Sequence, residues 1–126
     1  VNKEGRLYST KLLPGGKVRV DNAYEFLLQN TQNEKMDYYF EIIPQIELNG
    51  KIIIAKPTKK FSATPGKRKK KIVVLSTTDI LVDDARKDVS IPIKIKAYAI
   101  GHEEKIVVYR DAVFTFPKAV ILKAAH

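Results

Sequence analysis

The densest chemistry in this sequence is a run of cations: Lys59, Lys60, Lys67, Arg68, Lys69, Lys70 and Lys71, with no acidic residue between Lys56 and Lys71. Removing these seven from the formal net charge of +9 leaves +2 for the rest of the chain, so the positive charge belongs to one segment. Such a run can neutralise nucleic-acid phosphates by releasing counterions. It can lie against anionic lipid, where each basic residue near the surface contributes about 1 kcal/mol. Or it can solubilise a loop beside a strand. Lysine supplies 18 of the 23 basic residues, and its point charge suits bidentate recognition less well than a guanidinium. Phe61 is the only aromatic near the cluster, which leaves a base-stacking platform poorly supplied. Nucleic acid therefore ranks behind the solubilising loop and anionic lipid. Burying such charges costs several kcal/mol each unless they are paired, so the sequence predicts an exposed, flexible basic loop.

The remaining candidates are thinner. His102 with Glu103 and Glu104 offers imidazole and carboxylate, which suit zinc or copper. The other histidine is His126 and the single methionine is Met36, so the ordinary reading is a solvated hairpin turn and no metal site is expected. Asp79, Asp83, Asp84 and Asp88 lack the spacing of an EF-hand loop and read as acids solvating a loop, one that could face the basic segment. No nucleophile elbow, Walker loop or dinucleotide fingerprint occurs. The absence of cysteine excludes disulfides, thiolate ligation of metals or iron–sulfur clusters, and a cysteine nucleophile within this chain. No catalytic or cofactor-binding residue is assigned, and the chain is expected to be non-enzymatic. Tyr39, Tyr98 and Tyr109 have outward parity but are scattered along the sequence.

The elements that must position these groups are strands. Tyr24, Phe26 and Leu28 alternate with Glu25 and Gln29 between Asn22 and Asn30, the period of a half-buried strand. Met36, Tyr38, Phe40 and Ile42 repeat the pattern against Asp37 and Glu41. The connection at residues 31–35 is polar and short enough for antiparallel neighbours. The pair is expected at the centre of the core, with Ile93 and Ile95 from a third alternating run, Ser90 to Ile100, in which Pro92 hints at an edge or bulge. Further strands are expected at Leu7–Leu13, before Pro14-Gly15-Gly16, and at Lys70–Thr77 and Lys105–Phe116. Asn49-Gly50 reads as the tight turn of a hairpin between Ile46–Leu48 and Lys51–Ala55. Residues 57–66 read as a loop, Thr78 could cap a helical turn, and Ala119–Leu122 is too short to span a membrane. About seven strands with regular turn signals and no long helix describe an all-β, Ig-like antiparallel sandwich without a disulfide, one domain over residues 1–126. Val1 is not an initiator Met and the first residues are no signal peptide, so a piece of a longer protein is expected.

The order of Arg6-Leu7-Tyr8, Gly16, Asn22-Ala23-Tyr24, Leu28-Gln29-Asn30 and Tyr38 or Tyr39 resembles the C-terminal domain of the FixG/CcoG family, accessory proteins of cbb-type cytochrome c oxidase. Pro65-Gly66, Ile91-Pro92-Ile93 and Phe114-Thr115-Phe116-Pro117 fit the same layout. The resemblance implies an Ig-like sandwich following a membrane-embedded portion that carries iron–sulfur clusters, in a protein linked to oxidase assembly and electron transfer to copper. The domain would then be a scaffold or docking module on the periplasmic side of the bacterial inner membrane. Its partners would be oxidase-assembly proteins or the membrane portion of its own chain, with anionic lipid as a further possibility. The alternatives are an adhesion or chaperone-type Ig-like module working by edge-strand addition, and a basic nucleic-acid-binding β-barrel.

Overall fold

The computed structural model describes residues 2–3, 8–79 and 87–117. Nine strands occur among them: β1 (Asn2–Lys3), β2 (Ser9–Leu12), β3 (Val18–Gln29), β4 (Met36–Ile43), β5 (Ile53–Lys56), β6 (Phe61–Ala63), β7 (Arg68–Thr77), β8 (Val89–Ala99) and β9 (Val107–Phe116). One sheet has the order β1-β3-β7-β5, with β2 also paired to β3; the other is β6-β4-β8-β9, and every pairing is antiparallel. This is the expected all-β sandwich, with short edge pieces raising the strand number above seven. Of the segments read from the sequence, Arg6, Leu7, Asp83, Asp84, the turn after Thr78, Ala119–Leu122 and His126 lie outside the described residues.

Alternation becomes burial along β3, where Val20, Asn22, Tyr24, Phe26 and Leu28 are buried, and along β8, where Ile91, Ile93, Ile95, Ala97 and Ala99 are. Tyr24, Phe26, Leu28, Phe40, Ile93 and Ile95 share one core cluster, against which the half-buried Ile42 packs. The connection at 31–35 corrects the expectation of a hairpin. β3 pairs with β7 and β4 with β8, so residues 31–35 carry the chain from one sheet to the other. The two runs meet face to face instead, with the Phe26 and Phe40 rings 5.1 Å apart at 64°.

The cause is Asn30. Its buried side chain donates from Nδ2 to the carbonyls of Glu34 (2.9 Å) and Ala63 (2.7 Å), and its Oδ1 accepts from the Gln32 N–H (2.8 Å). These bonds fold the connection into an arch rather than a ladder turn. Two apolar faces joined by a hairpin would lie on the same side of one sheet and need another cover; across the sandwich they cover each other.

Asn49-Gly50 is a second correction. No hairpin forms there: residues Glu47–Lys51 make a 3-10 helix, and Ile46 to Leu48 is not a strand. The buried Asn49 amide accepts the Gln45 N–H (2.6 Å) on Oδ1 and donates from Nδ2 to the Pro92 carbonyl (3.1 Å). A hairpin turn would have thrown that side chain into solvent. The same contact explains Pro92. β4 pairs with β8 only from Lys94 onward, so on that side the proline's missing N–H leaves no ladder bond unmade. The segment 57–66, read as a loop, contains β6, which pairs with the first residues of β4.

Phe26→Ala is expected to cost about 3–5 kcal/mol and Glu25→Ala less than about 1 kcal/mol, measured by equilibrium urea unfolding. Equal costs would mean that the inward face of β3 is wrongly assigned.

Candidate anion-binding surface

Only part of the basic run is a loop. Lys59 and Lys60 lie between β5 and β6, and Lys67 follows Gly66, whose φ of +74° suits glycine. Arg68 to Lys71 open strand β7, in register with Gln29, Leu28, Leu27 and Phe26 respectively. The expectation of a flexible basic loop is therefore corrected: β3 runs out to Gln29, and the backbone groups of Phe26, Leu28 and Asn30 pair with the cationic stretch. The charge is tolerated because this is the rim of the sandwich, where long stems can lie on apolar surface while the heads reach water.

Alternation then divides the cations. Lys69 and Lys71 have inward parity and their ammonium groups lie 5.9 and 4.9 Å from the centre of the Phe61 ring. Lys69 Nζ also donates to the Ser62 carbonyl (2.8 Å). Lys60 sits 3.2 Å from Asp37, whose Oδ1 accepts the Ser62 hydroxyl (2.6 Å). The Ser62 hydroxyl first, then Lys60, hold the Asp37 carboxyl below the usual carboxylate range. Lys70 points to the outer face, 3.3 Å from Glu25. Arg68 lines a lateral cleft with Leu27, Leu28, Gln29, Val108 and Arg110. The run thus lies at one end of the sandwich but wraps over several faces. Lys60, Lys69 and Lys71 surround β6, while the exposed Lys59 and Lys67 have no ion-pair partner among the described residues.

The acidic candidates among the described residues, Asp79 and Asp88, lie elsewhere. Asp79 follows the far end of β7 from the cations, so it does not face the basic segment. Asp88 lies against Tyr8, whose hydroxyl is pushed up by burial and then by that carboxylate. His102, Glu103 and Glu104 occupy the exposed β8–β9 turn, where Glu103 Oε1 accepts the Gly101 N–H (3.1 Å). Backbone N–H groups of Glu103 and Gly101 hold the Glu103 carboxyl below its usual range. No three His, Asp or Glu side chains converge among the described residues.

The tyrosines that look scattered in sequence are gathered by the second sheet. Tyr39 and Tyr98 are direct cross-strand partners, and Tyr109 is paired with Lys96 one row away. The Tyr39 hydroxyl donates to the Pro57 carbonyl (2.7 Å), and the Lys96 ammonium lies 5.4 Å from the Tyr98 ring centre. Burial first, then Glu41, Glu103 and Tyr39, push the Tyr98 hydroxyl up. Outward parity was the available signal; the register that assembles the three is not a local property.

Comparison with known proteins places this geometry. A family model described as "IG-like fold at C-terminal of FixG, putative oxidoreductase" matches residues 11–117. The crystal structure of a FixG-related protein from Vibrio parahaemolyticus shares the fold, with a TM-score of 0.60 and 12% identity over 93% of this chain and 91% of that one. No curated protein matches the sequence. Within the matched span, the motif residues Asn22, Tyr24 and Asn30 are buried and bonded to backbone of distant segments. The chain belongs to the family of Ig-like domains found at the C-terminus of FixG.

Proposed function

We propose that this is a non-catalytic docking domain of a membrane-bound iron–sulfur protein that serves cytochrome oxidase assembly and electron transfer to copper. The observation that carries the non-catalytic reading is how the interior polar groups are used. Asn22, Asn30 and Asn49 bond backbone groups of remote segments, Thr77 bonds the Lys51 carbonyl, and Ser76 bonds Asp21. These side chains are spent on bonds that hold the fold together rather than turned toward a substrate. Iron–sulfur ligation would fall to another part of the parent protein, because this chain has no cysteine. The domain would sit on the periplasmic side of the bacterial inner membrane, against oxidase-assembly proteins or the membrane portion of its own chain.

The cationic end supports an orientation toward anionic headgroups, at about 1 kcal/mol per lysine within a Debye length of roughly 8 Å at physiological salt. Sedimentation with phosphatidylserine vesicles at low salt is expected to bring the domain down. Phosphatidylcholine vesicles should not, and rising salt should release it. Replacing Lys59, Lys60, Lys67, Arg68 and Lys70 with Ser should abolish this with little change in melting temperature, since exposed ion pairs contribute only about 0–1 kcal/mol. Equal sedimentation with the two lipids would reject the lipid-facing reading. Lys71→Ser behaves differently: uncovering the Phe61 ring should lower stability by about 0.5–1 kcal/mol, whereas Lys67→Ser should not, as thermal unfolding would show.

A second reading, an interaction module that works by edge-strand addition, is favoured by the long edge strand β9.

A further inference from the structure

We propose that the seam between β3 and β9 is a docking groove for an extended acidic peptide, which adds as a strand to β9 at Val107–Asp111 and sets a carboxylate between Arg68 and Arg110. The proposal rests on the domain being a docking module, and not on its meeting lipid.

Hydrogen-bond parity decides which backbone groups of β9 face away from β8. The Ala99 N–H donates to the Ile106 carbonyl (2.9 Å), which makes that pair, and every second pair after it, the hydrogen-bonded ones in the β8–β9 ladder. The backbone groups of Val107, Tyr109, Asp111, Val113 and Thr115 therefore point away from β8. At one end of the seam β3 takes them up. Asn22 Nδ2 donates to the Thr115 carbonyl (3.0 Å), Asn22 Oδ1 accepts the Thr115 N–H (2.8 Å), and the Tyr24 hydroxyl donates to the Val113 carbonyl (2.6 Å). At the other end no such side chain follows. Among the described residues only the Arg110 guanidinium reaches this edge, at the Tyr109 carbonyl (2.9 Å). Among the described residues the N–H groups of Val107, Tyr109 and Asp111 have no partner.

The facing wall is open too. The Asn30 N–H donates to the Lys67 carbonyl, so by the same parity Leu27 and Gln29 of β3 turn their backbone groups away from β7. Among the described residues β1 pairs β3 at Tyr24 and Glu25 and β2 pairs it at residues 18–21, short of Leu27 and Gln29. Between the two walls lies a cleft of about 390 Å³ lined by Leu27, Leu28, Gln29, Arg68, Val108 and Arg110, the size of a peptide or ligand pocket. The exposed Leu27 and the half-buried Val108 offer an apolar surface for one face of an added strand. Arg68 and Arg110 make no ion pair among the described residues, and their forked guanidinium groups suit a carboxylate. Backbone pairing, an apolar floor and unneutralised arginines together specify an extended segment with acidic side chains.

The probe is a blocked heptapeptide alternating valine with aspartate and glutamate, compared with the same peptide carrying lysine at the acidic positions. In titrations up to about 1 mM, the acidic peptide should shift the backbone amide resonances of Val107, Tyr109 and Asp111 and slow their hydrogen exchange, and the lysine peptide should not. Tyr109→Pro removes an N–H that the β8 ladder does not use, so the fold should persist while affinity drops at least about tenfold. Arg110→Glu should weaken binding similarly and leaves β9's backbone intact. Both variants should still sediment with phosphatidylserine vesicles, because neither residue is among the seven cations, so loss of one activity is separable from loss of the other. Equal binding of the two peptides, shifts confined to the Tyr39–Tyr98 face, no binding, or unchanged affinity in the two variants would each overturn the proposal.

Discussion

Two stacked sheets share no main-chain ladder, so apolar packing and whatever polar groups cross the gap must decide how one lies on the other. Here the crossing is made by Asn22. Its amide donates to and accepts from Thr115, so one side chain of the first sheet stands in for a strand partner on the edge of the second. Tyr24 repeats the device one row along, at the Val113 carbonyl. A buried amide with both ends satisfied contributes modestly, but left unpaired it costs about 1–3 kcal/mol per orphaned group. Sliding the sheets by one residue would incur that penalty and also unseat Phe26 from Phe40. The polar bond thereby selects one arrangement from the several that greasy faces alone would tolerate.

Asn30 and Asn49 extend the principle to the chain's path. Asn30 gathers Gln32, Glu34 and Ala63 around its amide, while its backbone bonds Lys67 and Gly66. That turns the chain out of β3 into the opposite sheet and ties the start of β7 to the same point. Asn49 holds the 3-10 helix to the Pro92 carbonyl. The surfaces available for function are what these ties leave over: the cationic rim where β7 begins, the tyrosine face of the second sheet, and the unplugged end of the β3–β9 seam.

Period-two alternation made the inward residues of β3, β4 and β8 readable from the sequence, because burial of one strand face is a local pattern. It could not reveal which strands are neighbours. The break between β3 and β4 depends on Asn30 meeting Ala63, 33 positions away, and Asn49-Gly50 obeys the Pro92 carbonyl rather than its own turn preference. The basic run misled for a related reason. Charge density argues for a loop, but Lys69 and Lys71 lie on the Phe61 ring while Arg68 and Lys70 face outward, which is strand alternation written in one residue type. The family motif residues are legible in the sequence as residue types in order; the structure supplies the cause, since Asn22, Tyr24 and Asn30 are the groups that bridge distant segments.

Side-chain amides, and not packing alone, hold the sheets in their observed relation. Equilibrium urea unfolding of Asn22→Ala tests this most directly. Losing the amide removes both inter-sheet bonds to the Thr115 backbone, and a stability loss of about 2–4 kcal/mol is expected. A change within about 0.5 kcal/mol, the range of an ordinary surface substitution, would contradict it.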